Sequence, residues 1–291
     1  VSDAPDYGRL AAVGPYFALT AAEEPGQGPP TGFRPLRELY APGPDGPLAG
    51  RVREVGRRLG TTEARVAASI LHLGLAARFC SVGLGAAVLL GEVPELAPDE
   101  AWVRVPDQGP IDLWTPSRTS PPSRTSPPDR PAQSARPAQS APPTPTDPPT
   151  PTDPPAPMAR APLTDRFRRA VVEGQLAELS AAVRSVVPLS DGLLRGNAAS
   201  ALAGALRMLD AHLAQAAATA PSPEPVDPGL ARSLVAEALA HPPLAGTGAL
   251  TAAGPRAGTA FRRTSCCLYY RVGPQAGVCG DCCFTRPPRR R

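Results

Sequence analysis

Apolar positions recur at helical spacing through much of this chain. Val52, Val55 and Leu59 fall on one face with Arg51, Arg53, Arg57 and Arg58 around them, and Gly60 is a stop signal. Thr61 or Thr62 is the expected N-cap of a second helix from Glu63 to about Phe79. That run is alanine-rich and apolar. Arg65, His72 and Arg78 interrupt it, and each charge near a bilayer centre is costly, so stable membrane insertion is not expected. The period then shortens: Trp102–Val105 and Ile111–Trp114 read as two short strands around a Gly109-Pro110 turn.

Helical spacing returns further on. Thr164 or Asp165 is placed to cap a helix with the stripe Phe167, Val171, Leu176, Leu179 and Val183. Asn197 to about Ala218 is dense in Ala and Gly, which permits close approach of a neighbouring helix. Asp227-Pro228 opens a helix with Leu230, Leu234, Val235 and Leu239 on its face, and His241-Pro242-Pro243 ends it. Between the two patterned regions, Pro116–Pro162 holds 17 of the 41 prolines. It contains imperfect repeats: SRTSPP twice, RPAQSA twice, then PTPTDPP and TPTDPP. With almost no apolar residues to offset its ordering entropy, this segment is expected to be disordered, either between two domains or inserted in one.

Composition adds little. The 291 residues are 42% hydrophobic and 4% aromatic, enough for one sizeable core or two small ones. All 30 basic residues are arginine, and the net charge of +4 is too weak to point to nucleic acid. Nothing near residue 1 resembles a signal peptide, so a cytoplasmic setting with reduced thiols is expected, with any membrane association peripheral to the inner face.

The cysteines change the picture. Five of six lie in the last 26 residues: Cys266–Cys267, then an eleven-residue gap, then Cys279-Gly280-Asp281-Cys282-Cys283. Two thiolates two residues apart can close on one ion across a tight turn. The contiguous Cys266–Cys267 pair can do so only if the backbone bends there, because neighbouring side chains diverge in a strand. Zinc and iron–sulfur clusters both accept four thiolates, and the contiguous pair favours iron–sulfur, since zinc sites usually space each pair by two to four residues. Cys80, alone in an apolar helix, reads as a small buried hydrophobe. His72, His212 and His241 have no partner at metal spacing. No phosphate loop or flavin or nicotinamide fingerprint is present.

The run SCCLYYRVGPQAGVCGDC resembles the C-terminal signature of the FhuF-like family of ferric-siderophore reductases, which hold a [2Fe–2S] cluster on a C-C-x10-C-x2-C pattern. Gly14-Pro15-Tyr16-Phe17, RVAASILHLGLAARF at 65–79, GNAASALAGALRML at 196–209 and HPPLAGTGAL at 241–250 resemble the actinobacterial branch. The resemblance spans both sides of the proline-rich stretch. It therefore implies an α+β, predominantly helical single domain interrupted by an insertion, with a short Cys-rich cluster-binding segment at the end. The ranges are 1–115 and 162–258 for the two parts of the domain, 116–161 for the repeat linker and 259–291 for the cluster segment.

It further implies Cys266, Cys267, Cys279 and Cys282 as cluster ligands, with Cys282 preferred over the extra Cys283 because it keeps the C-x2-C spacing. The implied activity is one-electron reduction of a ferric siderophore to release Fe²⁺, with electrons from an external donor. Arg262, Arg263, Arg271, Arg286 and Arg289–Arg291 are candidates for stabilising the added electron or attracting an anionic chelate. Thr264 and Ser265 are candidate hydrogen-bond donors to cluster sulfur, and Tyr269 and Tyr270 candidate relays. Arg195, Asn197 and Arg207 are placed to reach a ligand pocket or to serve as ordinary caps and surface groups. Two rivals remain: a redox-responsive DNA-binding regulator with 52–73 as helix–turn–helix, and a zinc-stabilised binding module.

Overall fold

The computed structural model describes residues 5–24, 26–106, 109–116, 157–219, 227, 229–252, 259–273 and 275–288. The tandem repeats fall outside the described residues. Short helices α1 (Gly8–Ala11) and α2 (Leu36–Leu39) accompany strands β1 (Thr20–Ala21) and β2 (Arg34–Pro35). Helix α3 (Pro47–Leu59) starts with proline in its first turn and stops at Gly60, whose φ of 64° is the left-handed conformation expected of a glycine stop. Helix α4 follows at Ala64 and runs 26 residues to Leu89, ten past the expected end, because residues 80–89 continue apolar and small with no breaker. Thr61 Oγ1 accepts the Glu63 N–H at 3.3 Å, so the predicted capping threonine acts just ahead of the helix.

Strands β3 (Trp102–Arg104) and β4 (Asp112–Thr115) pair antiparallel with Trp102 opposite Trp114, their rings edge to face at 6.3 Å between centroids. The sheet order is β1-β4-β3-β2, with β1 parallel to β4 and the other pairs antiparallel. Beyond the repeats, α5 (Pro157–Phe167) passes through a π-helical stretch, Arg168–Gln175, into α6 (Leu176–Val186). Thr164 and Asp165 thus lie inside α5 and do not cap it. The helix start at Pro157 lies upstream, in the range predicted as linker. Helix α7 (Asp191–Thr219) is followed by α8 (Leu230–Ala240), whose approach is turned by Asp227 Oδ1 accepting the Gly229 N–H at 2.8 Å. A hairpin of β5 (Gly248–Ala252) and β6 (Thr259–Arg263) leads into the cysteines.

Helices α4 and α7 pack mainly on one another at the centre. Helix α4 is apolar on all sides and α7 largely so from Leu193 to Leu209, and α1, α3, α5, α6 and α8 cover them there. Among the described residues α4 is the one helix long and apolar enough to cross a membrane, and most of it is buried inside the protein. One continuous core draws on Leu10 and Phe17 near the start, Phe79 and Leu84 in α4, Phe167 in α5, Leu202 in α7 and Phe261 in β6. Both sides of the proline-rich stretch therefore build a single body, predominantly helical with a small mixed sheet.

Arg78 is the polar bolt of this core. Its Nε donates to the Ile111 carbonyl at 2.8 Å, Nη1 to Tyr16 O at 2.7 Å, and Nη2 to Ala18 O. Burial lowers its pKa to about 10, still well above neutrality, so it remains a cation serving three backbone acceptors.

Candidate metal centre

Strand β6 sets up the site by alternation. Thr259, Phe261 and Arg263 face inward while Arg262 faces solvent. Two adjacent arginines that looked equivalent in sequence thus have opposite environments. Arg262 Nη2 donates to the Cys283 carbonyl at 3.0 Å, whereas Arg263 is 2% exposed and hydrogen-bonds Asn197 Oδ1 at 2.8 Å from Nη2. Gly196 permits this approach: a Cβ there would stand 2.1 Å from Ser265 Oγ and 3.0 Å from Arg263 Nη2.

The chain leaves β6 through Thr264 and Ser265, whose hydroxyls donate to the carbonyls of Gly246 (3.0 Å) and Gly192 (2.8 Å). These hydroxyls fasten the loop and are not sulfur donors. Cys266 and Cys267 follow, then Leu268 with φ of 67°, a left-handed conformation unusual for a residue with a Cβ, and a 3₁₀ turn, Tyr269–Arg271. This is the bend that the contiguous pair required. Arg271 ties the turn to the start of α4, its Nε donating to Glu63 Oε2 at 2.8 Å.

The second half returns at Cys279, where Cys282 N–H donates to Cys279 O at 3.1 Å across the turn. Asp281 fastens this turn to the body. Ser200 Oγ donates to its Oδ2, Arg207 Nη1 lies 3.2 Å from Oδ1, and its carbonyl accepts the Arg263 N–H at 3.0 Å. Tyr270 and Phe284 meet edge to face at 6.2 Å and close the two halves on each other.

All five thiols converge. Cys267 and Cys279 Sγ are 3.4 Å apart, and the Sγ atoms of Cys266, Cys282 and Cys283 lie within 4.8 Å of one another. None forms a disulfide. Four of the five share one further feature, a backbone N–H from the residue two positions on. Leu268 N–H reaches Cys266 Sγ at 3.3 Å and Phe284 N–H reaches Cys282 Sγ at 3.4 Å. Tyr269 does the same for Cys267 and Asp281 for Cys279. Such bonds favour thiolate, the form that ligates metal. Cys283 differs only in the source of its donor: the backbone N–H at its sulfur is that of Cys283 itself. The thiols share protons: Cys267 is held low by donors on Cys266 and Cys279, while those two are pushed up by it and by burial.

Cys267 and Cys282 are buried, and Cys266, Cys279 and Cys283 are partly exposed. Cys80 lies apart, fully buried in α4 with its Sγ 4.0 Å from Ala198 O and its pKa pushed up to about 12 by burial. It belongs to the core. His72 is likewise buried, with Nε2 3.1 Å from Ser180 Oγ and its pKa lowered to about 3 by burial and then by Arg263.

Sequence reasoning missed the polar chain beneath the cysteines. Ser69 Oγ in α4 donates to the Cys267 carbonyl at 2.8 Å, and Asn197 Nδ2 in α7 donates to Ser69 O at 2.9 Å. Ser69 and Asn197, each a polar residue inside an apolar helical run, were the available signal. Asn197 and Arg207 serve the cysteine loops, while Arg195 stands exposed beside a groove of about 260 Å³ between α6, α7 and Pro243.

Five cysteine sulfurs sharing one small space at the surface of a helical protein form a candidate thiolate-held metal centre. Residues 263–284, which include all five of these cysteines, match the family model described as the FhuF 2Fe-2S C-terminal domain. No curated protein and no solved structure matches the chain. The donor set fits a [2Fe–2S] cofactor: four thiolates for two irons, with a buried guanidinium nearby to balance the negative charge such a cluster carries. This is an iron–sulfur protein with an FhuF-type C-terminal segment.

Proposed function

We propose that Cys266, Cys267, Cys279 and Cys282 hold the [2Fe–2S] cluster and that the protein passes single electrons to ferric siderophores, releasing Fe²⁺. The observation that supports this set is the N–H from two residues on that each of the four sulfurs meets, whereas the N–H at Cys283 is its own. Cys267 and Cys279 Sγ stand 3.4 Å apart, close enough for both to ligate within one small centre.

When bound, the cluster supplies a one-electron couple, which matches Fe³⁺ to Fe²⁺. The chelator is left intact, because it binds hard Fe³⁺ far more strongly than Fe²⁺. The chain's own residues give access. Cys266 and Cys279 are partly exposed, Tyr269 and Phe284 stand at the surface beside them, and Arg262 and Arg286 add exposed positive charge that attracts an anionic ferric chelate. An external one-electron donor recharges the site. The DNA-binding alternative needs an exposed second helix in the 52–73 segment, and the burial of α4 from Val66 onward argues against it.

Dithionite-reduced protein mixed with a ferric siderophore should reoxidise in one phase whose rate rises with siderophore concentration. About one Fe²⁺ per cluster should be captured by a ferrous-specific dye. Absence of reoxidation by hydroxamate and catecholate complexes alike would remove the reductase reading.

A further inference from the structure

Arg263 is the least explained group in the molecule. It is 2% exposed, and its Nε and Nη1 have no hydrogen-bond partner. Its Nη2 is satisfied only by neutral acceptors, Asn197 Oδ1 at 2.8 Å and Leu193 O at 3.3 Å. Among the described residues no carboxylate pairs with it. Asp281, the nearest in sequence to the site, is taken by Arg207 and Ser200. A guanidinium cannot shed its charge, so a buried one without an anion is strongly unfavourable. The contrast with Arg78, whose three donating nitrogens each reach a backbone carbonyl, is direct.

Both cysteine turns are fastened to this residue: it stands three positions before Cys266, and its backbone N–H donates to the Asp281 carbonyl at 3.0 Å, between Cys279 and Cys282. Asn197 carries the contact onward: it accepts from Arg263, donates to Ser69, and Ser69 donates to the Cys267 carbonyl. Cation and cysteine loop are therefore held in register by one buried hydrogen-bond chain across β6, α7 and α4.

We infer that Arg263 is a positioning residue whose counter-ion is the thiolate-held cluster itself, so that its buried charge raises the cluster's electron affinity and makes cluster loading and local stability interdependent. A fixed cation in low dielectric favours the state carrying one more electron. Without thiolate charge in the site, the same cation is a liability. The inference rests on the cluster and not on any substrate.

The test uses full-length Arg263→Met and Arg263→Lys, reconstituted anaerobically with iron and sulfide, and the apoproteins of each. Dye-equilibrated redox titration, followed by visible absorption and electron-spin resonance, should show reduction of the Met variant disfavoured about tenfold, or 59 mV for one electron. The Lys variant should stay within about threefold of the unmodified protein, because it keeps the charge. In thermal unfolding, apo Met should be at least as stable as unmodified apoprotein, while the loaded Met form should melt earlier than the loaded unmodified form. Arg169→Gln, a charge lost at an exposed position of the π-helical stretch, should move none of these quantities. Equal potentials for the Met and unmodified proteins would overturn the inference, as would a Met apoprotein destabilised as much as its loaded form. Insolubility of Met and Lys variants alike would overturn it too, since shape and not charge would then govern. No siderophore enters these measurements, so failure of the reductase reading leaves their outcome unaffected.

Discussion

From Ala64 to Thr219 the described chain is held by burial: α4 and α7, 26 and 29 residues long, interlock through alanine, leucine and small residues with α5, α6 and α8 packed around them. From Thr264 to Phe284 the chain has one 3₁₀ turn and little else that is regular. Its attachments are individual polar contacts: Thr264 to Gly246, Ser265 to Gly192, Ser69 to Cys267, Ser200 and Arg207 to Asp281, Arg271 to Glu63. Each such bond contributes about 1 kcal/mol net, whereas a buried leucine contributes about 1.5–3. The body is therefore a scaffold that stands on apolar packing, and the cysteine segment is a fitting that needs metal to complete it. This arrangement lets the sulfurs stay near the surface without weakening the core.

The sharpest way to break the contrast is to remove the metal ligands one at a time. Serine at Cys266, Cys267, Cys279 or Cys282 should abolish the visible absorption of the cluster while far-UV circular dichroism keeps its helical intensity. A variant that lost both together would show that the body depends on the cluster, and the division drawn above would fail.

A smaller effect is expected at the joint between the regions. Asp281→Asn keeps the shape but discharges the partner of Arg207 and weakens the acceptor for Ser200. The loss should be about 1 kcal/mol, felt in the cysteine segment alone. Release of iron to a chelator should quicken several-fold, with the thermal midpoint of the apoprotein nearly unchanged. An equal loss in the apoprotein would show that the contact belongs to the scaffold.

The smallest effect separates the two neighbouring thiols. Cys283→Ser should leave the absorption spectrum and the reduction potential as they are, because the N–H at Cys283 Sγ is its own and not one from two residues on, as at the other four sulfurs. Bleaching of this variant, with survival of Cys282→Ser, would move the fourth ligand by one residue.

Much of the fold was legible because its signals are local. The spacing of Val52, Val55 and Leu59 with a glycine stop gave α3, and the Trp102–Trp114 region gave the β3–β4 pair where it stands. The start of the helix N-terminal to Phe167 was misplaced because Thr164 and Asp165 look like caps, while the helix begins upstream, at Pro157. At the site, the cysteine spacing identified the thiols, but every anchoring group was invisible. Ser69 lies 198 residues from Cys267, and Ser200 lies 81 from Asp281. Contacts at such separation leave no periodicity to read.

What the sequence alone determined is the chemistry: five thiols clustered at one end, no other metal-ligand set at a useful spacing, and helices apolar enough to require mutual burial. These follow from residue type and near-neighbour spacing. The tertiary structure decided which arginine is buried against the cysteine loops. Arg262 and Arg263 are the same residue one position apart, and strand alternation sends one to solvent and the other beneath the cysteines. Whether a charge tunes a metal centre depends on its depth and its distance from the sulfurs, because the dielectric around it depends on burial. Only the packing of β6 against α7 sets that depth.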